Sequence, residues 1–176
     1  MIPAGFCIDI FLQPGEVYFA GADTRIRTLL GSCVAITFWH PRERVGGMCH
    51  FLLPTRPAHH QRAPGTPLDG RYGDEALALL IHYVESARTK ASEYQVKMFG
   101  GGDVLGLVGV EGVGKRNIEQ GRSMLAQRGF ILTSEHLAGS GHRNIVFDIA
   151  TGDVWVKFQP HLGPQGRSEP SLRRPI

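Results

Sequence analysis

The sequence has little that would staple or anchor it. Its 176 residues include three cysteines, Cys7, Cys33 and Cys49, an odd set without regular spacing. That excludes a disulfide framework and fits a reducing compartment. No apolar run approaches the roughly 20 residues a bilayer-spanning helix needs. The opening Met1-Ile2-Pro3-Ala4-Gly5-Phe6-Cys7 lacks the charged-then-apolar layout of a secretion signal. The chain is therefore expected in the cytoplasm, without direct membrane insertion. No internal repeat is visible. A net charge of +3 is too small to argue for a nucleic-acid partner, and Arg167, Arg173 and Arg174 near the end carry much of the excess. Residues 163–176 hold Pro164, Pro170 and Pro175 and show no apolar periodicity. They are expected to form a mobile basic tail, leaving residues 1–162 as one domain with a sizeable core.

Within that domain, Val17 to Ala22 and Thr24 to Leu30 read as short strands. The segment 55–70, with three prolines and the adjacent His59 and His60, reads as a loop. Tyr72 to Arg88 carries Tyr72, Ala76, Leu79, Leu80, Tyr83, Val84 and Ala87 at helical spacing, with Asp69, Asp74 and Glu75 near its positive end. Tyr94 to Phe99 reads as a strand entering Gly100-Gly101-Gly102. Arg116 to Arg128 reads as a second helix closed by Gly129. Phe130 to His136, Arg143 to Ile149 and Asp153 to Phe158 complete about seven strands, which predicts a single layered α/β domain with a mixed β-sheet.

The most informative stretch lies between Gly31 and Pro54. Gly31 to Trp39 and Val45 to Pro54 are rich in β-branched, aromatic and aliphatic residues, and Pro41-Arg42 supplies a turn. Folding the segment about that turn sets Cys33 directly opposite His50. A thiol and an imidazole on one face, with Cβ atoms roughly 5 Å apart, form a cysteine nucleophile with its general base. The inference depends on register, because a one-residue slip would separate the faces. Gly31 and Ser32 would let the backbone approach a substrate and offer N–H groups to an oxyanion. The pair is expected either to pass a proton during attack or to rest as thiolate and imidazolium, with the Cys33 pKa depressed by His50. The competing reading makes Cys33 a buried strand cysteine and His50 a hydrogen-bonded core residue.

Other motifs carry less. Cys49 and His50 are adjacent, so a strand would point them to opposite faces, and no metal site is expected from Cys33, Cys49 and His50. His59-His60 has no carboxylate nearby in sequence. Gly109-Val110-Glu111-Gly112-Val113-Gly114-Lys115 has P-loop spacing, but Arg116 stands where Ser or Thr must hold magnesium. Gly100-Gly101-Gly102-Asp103 lacks dinucleotide spacing and reads as a glycine turn bordering the site. No cofactor is expected.

Taken together, Thr28-Leu29-Leu30-Gly31-Ser32-Cys33-Val34-Ala35 and Gly46-Gly47-Met48-Cys49-His50-Phe51-Leu52-Leu53-Pro54 resemble the CheD family, the chemoreceptor glutamine deamidases of bacterial and archaeal chemotaxis. Arg71-Tyr72-Gly73, Lys97-Met98-Phe99-Gly100-Gly101-Gly102, Arg116-Asn117-Ile118 and Thr151-Gly152-Asp153-Val154-Trp155-Val156-Lys157 follow in the family's order. The resemblance implies a fold similar to the cytotoxic necrotizing factor deamidases. It also implies Cys33 as nucleophile, His50 as base and a threonine completing the site. In some members that threonine lies six residues before the cysteine, where this chain has Arg27; Thr28, five before, takes the role here. Gly31, Ser32, Gly100 and Gly101 are expected beside the oxyanion and substrate. The chain departs from the family at His136-Leu137-Ala138-Gly139, with His136 where an acidic residue is usual. The implied partners are the cytoplasmic domain of a methyl-accepting chemotaxis receptor and a CheC-like phosphatase. A thiol protease, a transglutaminase-like acyl transferase and a non-catalytic adaptor are the competing functions.

Overall fold

The computed structural model describes residues 7–60, 62–103, 112–161 and 171–172. Where the sequence predicts one mixed sheet, the strands divide between two. In chain order they are β1 (Ile8–Phe11), β2 (Val17–Ala20), β3 (Thr24–Leu30), β4 (Val34–His40), β5 (Val45–Phe51), β6 (Gln95–Gly100), β7 (Leu132–Leu137), β8 (Gly141–Asp148), β9 (Val154–Pro160) and β10 (Ser171–Leu172). One sheet has the order β1-β3-β8-β9-β10 and the other β2-β5-β4-β6-β7. Helix α1 (Gly73–Ser86) links β5 to β6, and α2 (Val113–Gln127) links β6 to β7. Since β6 and β7 are parallel neighbours, they need a crossover of this kind.

Two apolar layers result. Between the sheets, Ile26, Leu30, Ile145, Phe147, Val154 and Val156 meet Ala35, Met48 and Phe99. On the other side of the second sheet, Val34, Ile36, Phe38, Cys49, Phe51 and Met98 pack under Ala76, Leu80, Ile118 and Leu125 of the helices. The second sheet is thus buried on both faces, which explains the near-continuous apolar runs of β4 and β5. Alternation is legible in β3 and β8, where inward Ile26 and Ile145 are buried while Arg27 and Asn144 face out.

The chain changes sheets repeatedly: β1 and β3 belong to the first, β2 and β4 to the second. The step from β3 to β4 is Gly31-Ser32-Cys33. The expected nucleophile therefore lies where the backbone crosses between layers.

Helix α2 starts at Val113, three residues before the expected Arg116. Gly112 and Gly114 suggest a turn, but Gly114 is helical, and it is glycine because a Cβ there would come within 2.6 Å of the Gly101 carbonyl oxygen. Its glycine serves close approach. The P-loop reading falls partly on residues outside those described, and Gly114 and Lys115 lie within the helix. Of the expected tail, only Ser171–Leu172 are described, and they pair antiparallel with Phe158 and Lys157 at the sheet edge. No described helix is long and apolar enough to cross a membrane.

At the end of the sandwich away from Cys33, Gly152 turns the chain with φ of +78°, and a Cβ there would collide with the Trp39 ring. Gly152→Ala combines a left-handed conformation with overpacking, so it is expected to lose about 2–4 kcal/mol of stability. A urea titration followed by Trp fluorescence measures this as a lower midpoint.

Candidate active site

The β4–β5 hairpin forms, but its register differs from the expected one. Ala35, not Cys33, lies opposite His50, and Val34 pairs with Phe51. The cause is the turn, which occupies Pro41 to Arg44 and closes through the Arg44 N–H donating to the His40 carbonyl at 2.9 Å. Arg44 takes a positive φ of 51° there. Moving the pivot by one residue shifts each pairing by two. A shift of two preserves side-chain parity, so Cys33 and His50 keep a common face as diagonal neighbours. In a regular ladder such pairs lie about 7 Å apart at Cα and somewhat less at Cβ. That face is the one between the sheets: Cys33 packs against the cluster containing Ala35 and Met48. Cys49 faces the helices, fully buried, and burial pushes its thiol up to about 12.

His50 is held from every side. Its N–H donates to the Glu16 carbonyl at 3.1 Å and its carbonyl accepts from Gly15 N–H at 2.7 Å. Its ring is 1% exposed. From the opposite sheet, Thr28 Oγ1 lies 2.8 Å from His50 Nδ1. The same hydroxyl sits 2.7 Å from the Leu12 carbonyl oxygen. A hydroxyl has one proton, and a carbonyl can only accept. Thr28 therefore donates to Leu12, and His50 must donate its Nδ1 proton to Thr28. This fixes the tautomer: Nε2 carries the lone pair and can act as a base. Arg27, the alternative position, points to the other face and pairs with Asp9 at 2.8 Å.

Burial acts on both partners of the thiol–imidazole pair. It lowers the His50 pKa to about 4, against a weaker opposing effect from the Leu12 backbone. It also raises the Cys33 thiol, partly offset by the residue's own backbone N–H. The expectation of a depressed Cys33 pKa is thus overturned. At neutral pH the resting pair is thiol and neutral imidazole, because a half-buried site disfavours both charged forms.

The Gly31–Cys33 crossing is clasped from behind. Gly102 N–H donates to the Gly31 carbonyl and Gly101 N–H to the Cys33 carbonyl, each at 2.8 Å. The Asn117 amide donates to the Ser32 carbonyl at 3.1 Å. Gly101 thus spends its N–H on the crossing instead of offering it to an oxyanion. Gly100 abuts the same peptide, where a Cβ would strike the Cys33 carbonyl oxygen. These glycines support the backbone at Cys33. In a trans peptide the N–H points opposite to the C=O, so the Ser32 and Cys33 N–H groups are directed away from the clasp.

Sequence reasoning misses Asn117 as a member of this arrangement. Its helical neighbours hide the signal, an amide on the buried face of an otherwise apolar stripe. His136 accepts from Arg143 Nε at 2.8 Å through Nδ1. Arg143 is 1% exposed, lies over the Phe158 ring, and burial lowers its pKa to about 10. Among the described residues, no three His, Cys, Asp or Glu side chains gather as a metal set.

A histidine with its Nδ1 proton held by a threonine, on the same face as a half-buried cysteine at a tight crossing, is the equipment of thiol-dependent acyl-transfer enzymes. The family model described as CheD chemotactic sensory transduction matches residues 52–158. The chain belongs to the CheD family. A protein of Dechloromonas aromatica named probable chemoreceptor glutamine deamidase CheD 3 is 48% identical, over 90% of this chain and 89% of its own. A probable chemoreceptor glutamine deamidase CheD of Pseudomonas savastanoi pv. phaseolicola is also 48% identical, over 86% and 85%. One from Leptospira interrogans, named CheD 1, is 37% identical over 88% and 95%. The first match leaves only a tenth of the chain outside it, so it necessarily spans residues 28–50.

The imidazole gives stability a defined pH dependence. Folding lowers the His50 pKa from 6.5 to about 4, so between those values the unfolded chain binds more protons and stability rises with pH. The contribution is fully present above pH 6.5 and is lost on acidification toward pH 4, on the order of 3 kcal/mol. His50→Asn keeps a donor near Nδ1 but does not titrate. Urea midpoints measured across this window are expected to fall with acid in the wild type and to be flatter in His50→Asn.

Proposed function

We propose that this chain deamidates glutamine side chains of methyl-accepting chemotaxis receptors to glutamate, with Cys33 as nucleophile, His50 as base and Thr28 as the group that orients it. The observation that carries the reading is the hydrogen-bond chain from Leu12 through Thr28 to His50 Nδ1, which leaves Nε2 as the basic atom. The names of its relatives supply the substrate class.

The chemistry follows from a neutral resting pair. His50 Nε2 takes the Cys33 proton as sulfur attacks the carboxamide carbon, so charge is created only during reaction. The Ser32 and Cys33 N–H groups, turned away from the clasp, face the developing oxyanion. Thr28 accepts the Nδ1 proton's hydrogen bond and steadies the imidazolium. The C–N bond then breaks, and His50 returns its proton to the departing nitrogen, releasing ammonia. Water, deprotonated by His50, attacks the thioester. Its C–S bond breaks, the thiol is restored and glutamate leaves. Each turnover adds one negative charge to the receptor surface.

A cytoplasmic location and a CheC-like phosphatase as a second partner belong to the same proposal. Both rest on the family resemblance.

Cys33→Ala and His50→Ala are expected to lower ammonia release at least about a thousandfold, because nucleophile and base act as a unit, with circular dichroism unchanged. Mass spectrometry of a receptor cytoplasmic domain incubated with the wild type should show a gain of about one mass unit at a glutamine, the NH₂-to-OH exchange of this hydrolysis. Activity near wild type in either folded variant would overturn the assignment. Thr28→Val, which keeps shape and removes the hydroxyl, is expected to lower kcat by about tenfold to a hundredfold, the worth of one buried hydrogen bond.

A further inference from the structure

The sheet ladder between β4 and β5 ends at the pair Val34 and Phe51. Beyond it the two strands part. The Leu52 N–H turns to the Arg71 carbonyl at 2.9 Å, and the Cys33 carbonyl turns to Gly101 at 2.8 Å. One side chain spans the fork. Asn117 of α2 donates from Nδ2 to the Ser32 carbonyl at 3.1 Å and to the Leu52 carbonyl at 2.9 Å. Both partners are carbonyls, so only the amide nitrogen can face them.

Asn117 is fully buried, and its Oδ1 has no hydrogen-bond partner among the described residues. An apolar residue of the same volume would leave the Ser32 and Leu52 carbonyls without these donors. The two donors reach the peptide before Cys33 and the residue two beyond His50.

We propose that Asn117 is a positioning residue for the reaction. It fixes the separation of the Cys33 and His50 arms where the sheet no longer does so. By holding the Ser32 carbonyl it also turns the Cys33 N–H toward the place where the oxyanion forms. The proposal rests on the deamidase reading for its kinetic arm, while an alkylation arm stands apart from it.

The test uses the full chain with Asn117→Leu, which fills similar volume without donors, and Asn117→Asp, which keeps shape but presents only acceptors when ionised. Each is assayed well below its own melting temperature, on a receptor cytoplasmic domain for ammonia release and with iodoacetamide for Cys33 alkylation. Both variants are expected to lose about tenfold to a hundredfold in kcat with KM within about twofold, as for lost transition-state contacts. Burial against two carbonyls raises the pKa of the carboxyl introduced by Asn117→Asp. That variant should therefore regain part of its kcat, relative to wild type, as pH falls from about 8 to about 5.5, because protonation restores one donor. Cys33 alkylation is expected to slow severalfold in Asn117→Leu. Unchanged kcat and alkylation in either folded variant, a KM effect alone, or no relative recovery of Asn117→Asp in acid would each overturn the proposal. A wild type that releases no ammonia, while Asn117→Leu still slows alkylation, would refute the deamidase reading and leave the positioning role standing.

Discussion

A single hydroxyl proton organises the site. Thr28 gives it to the Leu12 carbonyl, so the hydroxyl oxygen is left to accept from His50 Nδ1. This bond joins β3 in one sheet to β5 in the other. It sets the imidazole's tautomer and ties the layers together with the same atom. Its geometry depends on the packing of Ile26, Leu30, Ala35 and Met48 around it. Low exposure in turn keeps the imidazole neutral. The polar contact and the apolar core are one device, since either without the other would leave His50 charged or misdirected.

Neutrality shapes the chemistry. A resting thiolate is reactive toward many electrophiles, whereas a thiol must be deprotonated during attack. With both groups held neutral by burial, reactivity depends on a substrate that completes the geometry. This suits an enzyme acting on selected side chains of a folded partner better than a general thiol reagent.

Much of this is legible in the sequence, and the failures have physical causes. The Cys33 and His50 arms read correctly as a hairpin because β-branched and aromatic residues flank a Pro-led turn. The sequence misplaces the register because Arg44 accepts a left-handed conformation that its residue type does not advertise. Parity survives, so the shared face survives. The division into two sheets is not legible: nothing local marks Gly31 to Cys33 as an inter-layer crossing, and β1 is only four residues long. The start of α2 is hidden because Gly114 looks like a turn residue when read alone, yet serves contact with the Gly101 carbonyl. Asn117 escapes periodicity, which registers hydrophobic faces and not a single amide within one.

The crossing at Gly31–Cys33 has a mechanical consequence. The chain there is short and clasped, and it belongs to neither sheet. It shares the role of joining the layers with the equally short crossings at residues 21–23 and 138–140, and of the three it is the one that holds Cys33. The position of Cys33 is thus set by how the two layers sit on one another and not by the pairing of either sheet alone. The inter-sheet packing around Ile145, Phe147 and Val156, far from Cys33 in sequence, therefore bears on where the thiol sits as well as on the fold.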